Sequence, residues 1–226
     1  MLRLKLLSVG VIACCVSSAS ATLVHFEGMG LARNLSFTYL PAPGDPPQAQ
    51  SANAGQIKIR LGEAPEMLLA YCLDVEHAVK SPWTASLQPV TSLGPRGPQV
   101  AYLYETFGPT VDSKNKAAAL QAAIWETLYD GDTDLSAGRF FLRTNSGGNL
   151  FKQAQQYLLS IPTSYTPSRS TVVLRSGDYP RSEDLIVPES MPLILLAFGS
   201  LPLLIRRPLP QDAKSRLNSG CYPPDR

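Results

Sequence analysis

The sequence of 226 residues predicts an α+β fold. It reads as a single β-rich domain of sandwich- or barrel-like strands with two or three helices. A signal peptide precedes the domain and a transmembrane helix follows it. Three observations lead there. Apolar residues alternate in the first half, at Leu35, Phe37 and Tyr39 and again at Ile57, Ile59 and Leu61, as half-buried strands do. The period then lengthens to that of a helix at Val100, Leu103, Tyr104 and Phe107. Finally, a compact apolar run stands near each end of the chain.

The N-terminal run follows Arg3 and Lys5, and Ala19-Ser20-Ala21 supplies a small-x-small cleavage site, so residues 1–21 are expected to be a signal peptide. Val11-Ile12-Ala13-Cys14 also fits a lipobox loosely, which leaves a lipoprotein signal as the alternative. Residues 22–176 are expected to form the extracytoplasmic domain, and residues 177–187 a polar linker. The second apolar run occupies residues 191–205, followed by Arg206-Arg207. At about 1.5 Å per residue it covers roughly two-thirds of a hydrocarbon core, with flanking residues extending it. The arginine pair should stay cytoplasmic, which places the domain outside the cytoplasm and the chain in the membrane through its C-terminal helix.

Val187-Pro188-Glu189-Ser190, the apolar run and Arg206-Arg207 together resemble a PEP-CTERM sorting signal, here spanning residues 188–207. The resemblance implies an exosortase-type sorting enzyme as a partner and a bacterial cell-surface or membrane-anchored location. Ser190 stands where that family has a second proline, and a tail of residues 208–226 follows the arginines.

Within the domain, residues 41–55 and 82–98 are read as loops, the second containing Trp83. Residues 67–74 are a strand candidate. Asp112 or Ser113 caps a helix over residues 114–129, whose apolar stripe is Ala117, Leu120, Ile124 and Leu128. Gln121 falls one position off that stripe, at the edge of the buried face. A short strand at 140–143, a helix at 149–159 and a strand at 171–174 complete the domain. A net charge of +2, with scattered lysines and arginines, leaves no nucleic-acid footprint.

Of the four cysteines, only Cys72 lies inside the domain, so it has no internal disulfide partner. It stands in Ala70-Tyr71-Cys72-Leu73-Asp74. Leu120-Gln121-Ala122-Ala123-Ile124-Trp125 lies on the strong helix. The two segments together resemble the thioester domain of bacterial surface adhesins, which pairs an aromatic-Cys-hydrophobic-Asp/Asn strand motif with a hydrophobic-Gln-x-x-hydrophobic-Trp helix motif. The resemblance implies that Cys72 supplies the thiol and Gln121 the acyl group of an internal thioester, formed with loss of ammonia. It also implies that Tyr71, Asp74, Ile124 and Trp125 flank the bond, with the apolar ones excluding water. Attack by an amine on the Gln121 acyl carbon would attach the protein covalently to an amine-bearing surface or matrix target and free the Cys72 thiol. Two alternatives stand beside this: a non-covalent matrix protein with an unreacted Cys72, and a cysteine-dependent enzyme using His77 as base. The leading reading is not an enzyme. It needs no cofactor, and His25 and His77 are too few for a zinc site. Asp130, Asp132 and Asp134 read as a solvated turn rather than a calcium loop, since Leu135 and Phe141 replace the required glycine and glutamate.

Overall fold

Six strands close into an antiparallel barrel in the computed structural model, which describes residues 21–42, 44–143, 147–168, 170–177 and 181–188. Strand β1 (Ala21–Tyr39) pairs along its length with β2 (Gln48–Leu61), from Val24↔Leu61 to Tyr39↔Gln48. β2 pairs with β3 (Met67–Cys72). On the other flank, the start of β1 pairs with β4 (Trp83–Pro89), and β4 with β6 (Thr171–Ser176). Strand β7 (Leu185–Pro188) joins the two flanks, pairing with β3 through Tyr71↔Ile186 and Cys72↔Leu185 and with β6 through Leu174↔Leu185. Closure gives each barrel strand a partner on both sides over part of its length. The short β5 (Phe140–Leu142) lengthens the sheet beside the far end of β1.

Three helices, α1 (Gly97–Phe107), α2 (Lys114–Tyr129) and α3 (Gly148–Leu159), complete the α+β domain. α2 runs over the residues expected for it. The Ser113 hydroxyl accepts the Lys116 N–H at its start, as an N-cap does. At its end the Arg96 guanidinium donates to the carbonyls of Thr127, Leu128 and Asp130 (3.2, 2.8 and 2.6 Å), satisfying groups the helix leaves open. Between these caps α2 is buried on every side, because α1, α3, β1, β2 and β5 all pack against it. Alanines at 117, 118, 119, 122 and 123 keep the helix thin enough for that. Gln121 is therefore fully inside, at 1% exposure, and not at the margin of the buried face.

Other expectations are corrected. Most of the loop expected at 41–55 is the first half of β2, a polar arm of the β1–β2 hairpin. The loop expected at 82–98 contains β4, on which Trp83 and Ala85 point inward at 2% and 1% exposure. The polar linker expected at 177–187 contains most of β7, whose Leu185, Ile186 and Val187 are wholly buried. The domain therefore runs to Pro188, beyond the boundary at 176. Gly55 faces a bulge in β1 with φ +140°, and a Cβ there would meet the Leu31 carbonyl at 2.4 Å, so only glycine fits. The signal peptide, the apolar run at 191–205 and the tail lie outside the described residues. Among the described residues, no helix is long and apolar enough to cross a membrane.

Candidate functional site

Cys72 ends β3, and Gln121 lies midway along α2. The fold brings them into direct contact. In a strand, the N–H and C=O of one residue project to the same side. Those of Cys72 project away from β7, toward the ground that β2 covers farther back along β3. There the Gln121 side chain replaces a neighbouring strand: the Cys72 N–H donates to Gln121 Oε1 at 3.0 Å, and Gln121 Nε2 donates to the Cys72 carbonyl at 2.7 Å. Both residues are buried, Cys72 at 4% exposure. The Gln121 amide is thus held against the backbone of the residue that bears the thiol. The backbone N–H on Oε1 also polarises the carbonyl that a sulfur or amine would attack.

The Cys72 thiol donates to the Asp74 carbonyl oxygen, and the Glu183 carboxyl stands near enough for its charge to act on the sulfur. Burial first, and then the charges of Glu183 and Asp74, push the thiol well above its ordinary range. A free Cys72 is therefore a protonated thiol, poor as a nucleophile at neutral pH. Asp74 is a scaffold for the turn after β3. Its Oδ1 accepts the N–H of Glu76 (3.3 Å) and of His77 (3.0 Å) and lies 3.1 Å from His77 Nδ1, while Oδ2 accepts the Asp184 N–H at 3.1 Å. Leu73 N–H donates in turn to the Asp184 carbonyl at 2.8 Å. The imidazole of His77 is thus engaged by Asp74, while the thiol faces Glu183.

Trp125 and Ile124 lie one turn beyond Gln121 on α2, buried at 3% and 0% exposure. The Trp125 ring packs on Phe37 (5.2 Å between centroids) and Phe140 (5.8 Å). Tyr71 does not flank the pair as expected. As the neighbour of Cys72 on a strand it points to the opposite face, where its ring meets Tyr104 edge-on at 6.1 Å. A cleft of about 250 Å³ is lined by Phe37, Tyr39 and Trp125 and by Asp74, Glu76 and Glu183; Cys72 and Gln121 lie behind this lining and do not themselves reach it.

Asp130 holds the backbone N–H groups of Arg139 and Phe140, both at 2.7 Å. Asp132 and Asp134 close short turns onto Asp134 N–H and Ser136 N–H. Sequence reasoning missed Glu183, which it placed in the linker. The signal that would have found it is Leu185-Ile186-Val187, an apolar triplet with two β-branched members that reads as a strand once it is separated from the run at 191–205.

No family model matches this chain, and no curated protein matches it either. Solved structures are similar to it, two of them as follows. One is the N-terminal domain of the Streptococcus pyogenes pilus tip adhesin Cpa, at 13% identity, covering 73% of this chain and 97% of that one with a TM-score of 0.42. The other is the N-terminal thioester domain of a surface protein from Clostridium perfringens, at 14% identity, covering 70% and 99% with a TM-score of 0.39.

Proposed function

We propose that this is an exported surface protein that attaches covalently to an amine-bearing target through an internal thioester between Cys72 and Gln121. The observation that carries the reading is the contact itself: a buried amide clamped on the backbone of a buried cysteine, 49 residues away in sequence. The two sequence motifs, present in the right order, support it. Formation joins Cys72 Sγ to Gln121 Cδ and releases Nε2 as ammonia. Sulfur donates little electron density to a carbonyl and leaves readily, so the product is a stored electrophile. Ile124, Trp125 and Phe37 keep water from it. An amine then forms an amide with Gln121 Cδ and frees the thiol. Residues 1–21 would direct export. The apolar run at 191–205 with Arg206-Arg207 would anchor the chain in the membrane for an exosortase-type enzyme.

A second reading is favoured by the completeness of the hydrogen bonding. The Gln121 amide satisfies both polar groups of Cys72 and needs no bond to sulfur to account for its burial. On that reading the chain is a non-covalent matrix protein. Alkylation of the native full chain, read at the peptide carrying Cys72, separates the two. The thioester protects Cys72 until methylamine is added, whereupon methylamine appears on Gln121 and the alkylating label on Cys72 together. Labelling of Cys72 in unfolded, never-aminated protein would leave the matrix reading.

A further inference from the structure

Glu183 lines the cleft beside Asp74, and its charge acts on the Cys72 sulfur. We propose that Glu183 is the catalytic residue that carries the proton between nitrogen and sulfur when the thioester opens, and that the cleft it lines admits the amine. This rests on the thioester reading above.

The geometry places it there twice over. The register Cys72↔Leu185 sets the two side chains on one face of the sheet, and Glu183, two residues before Leu185, continues that face toward the thiol. The charge of Glu183 also acts on the Cys72 thiol, in keeping with that placement. Its backbone is pinned: Asp184 beside it donates to Asp74 and accepts from Leu73, and its Oδ1 accepts the Ser176 N–H at 2.9 Å. On its outer side Glu183 lines the cleft between Trp125 and Asp74. At about 250 Å³ the cleft is smaller than a drug-sized ligand site, which starts at roughly 300 Å³, and suits the end of a side chain. Its acidic groups are Asp74, Glu76 and Glu183, with His77 the basic member, so an amine is favoured over an acidic group. Tyr39 adds a phenol whose own ionisation burial disfavours, as it does that of Tyr129 nearby. Behind the strand, Arg175 and Arg181 lie on Asp184.

The step balances without a further reactant. A neutral amine attacks Gln121 Cδ. As the carbon–nitrogen bond forms, an N–H proton passes to the Glu183 carboxylate. The carbon–sulfur bond breaks with its electron pair on sulfur, and Glu183 passes the proton to the Cys72 thiolate. The products are an amide and a thiol, and Glu183 ends as it began. Burial lifts the Glu183 carboxyl to about 8, near the range where one group both takes and gives a proton.

The test uses the full chain, wild type and Glu183→Gln, with intact mass to score the thioester and hydroxylamine as a nucleophile neutral at and above neutral pH. Both chains should lack one ammonia. Glu183→Gln should open at least about a hundredfold more slowly. The wild-type rate should show an inflection at or a little above pH 8, because the thioester lacks the thiol whose hydrogen bond holds the carboxyl down. The variant should lose that inflection. Equal rates and equal pH profiles overturn the proposal and leave the thioester reading standing. A wild type at full sequence mass overturns both. If Glu183→Gln alone is at full mass, Glu183→Asp decides: recovery of the ammonia deficit supports proton carriage, and no recovery overturns it.

Discussion

Gln121 does two jobs in this molecule, and they predict different things for its removal. As a hydrogen-bonding group it stands in for a strand beside Cys72. Gln121→Ala leaves a buried N–H and a buried C=O unpaired, each costing about 1–3 kcal/mol, so the domain should lose about 2–5 kcal/mol in denaturant unfolding. Cys72→Ala removes a small buried group and keeps the backbone pairing, so it should cost much less. Both should abolish thioester formation, because neither half reacts alone. Glu126, on the same helix, is fully buried with both carboxylate oxygens unpaired. Burial first, then the nearness of Asp132 and the charges of Asp130, Asp132 and Asp134, lift its carboxyl to about 10. The folded chain therefore holds a proton that the unfolded chain releases above its ordinary carboxyl range. Stability should be greatest in mild acid and fall as pH rises toward 10, by at most about 1.4 kcal/mol per pH unit from this group. Glu183 adds a loss of the same sign up to about pH 8. Glu126→Gln should flatten the slope in denaturant titrations at several pH values, and an unchanged slope would contradict a protonated Glu126.

At the scale of elements, α2 was legible in full because Ser113 signals its start and the stripe of Leu120, Ile124 and Leu128 its face. Its burial on all sides was not, since a helix rich in alanine shows a weak stripe whether half or wholly enclosed. β4 was hidden between Pro82 and Pro89, which read as loop, although Trp83, Ala85 and Leu87 alternate. The first half of β2 lacked large apolar residues and is held by its pairing with β1 alone. β7 was read as the end of the polar linker and the first residue of the sorting signal. Its recovery yields a prediction: a chain ending at residue 176 lacks the strand between β3 and β6 and should not unfold cooperatively, whereas one ending at residue 190 should. Arg96 offers a gentler probe. Arg96→Ala strips three hydrogen bonds from the carboxyl end of α2 and should cost about 1–3 kcal/mol while leaving the spectrum of the fold unchanged.

At the scale of the whole molecule, barrel closure through β7 joins the segment before the expected sorting signal to the strand that carries Cys72. Pro188, where the PEP-CTERM-like motif begins, is the last residue of that strand, so any processing after it falls at the domain's own margin. The pairing of Cys72 with Gln121 was legible from two short motifs because the adhesin resemblance fixes their order. Glu183 was not, because it enters from the far end of the chain. The most direct measurement is the mass of the native full chain, prepared at neutral pH without amines and compared with Cys72→Ala in the same processed form. The wild type should be lighter than its sequence mass by one ammonia, Cys72→Ala should have its full mass, and methylamine should add whole to the wild type, leaving it one methylene heavier than its sequence. A wild type at full sequence mass that methylamine leaves unchanged would contradict the thioester.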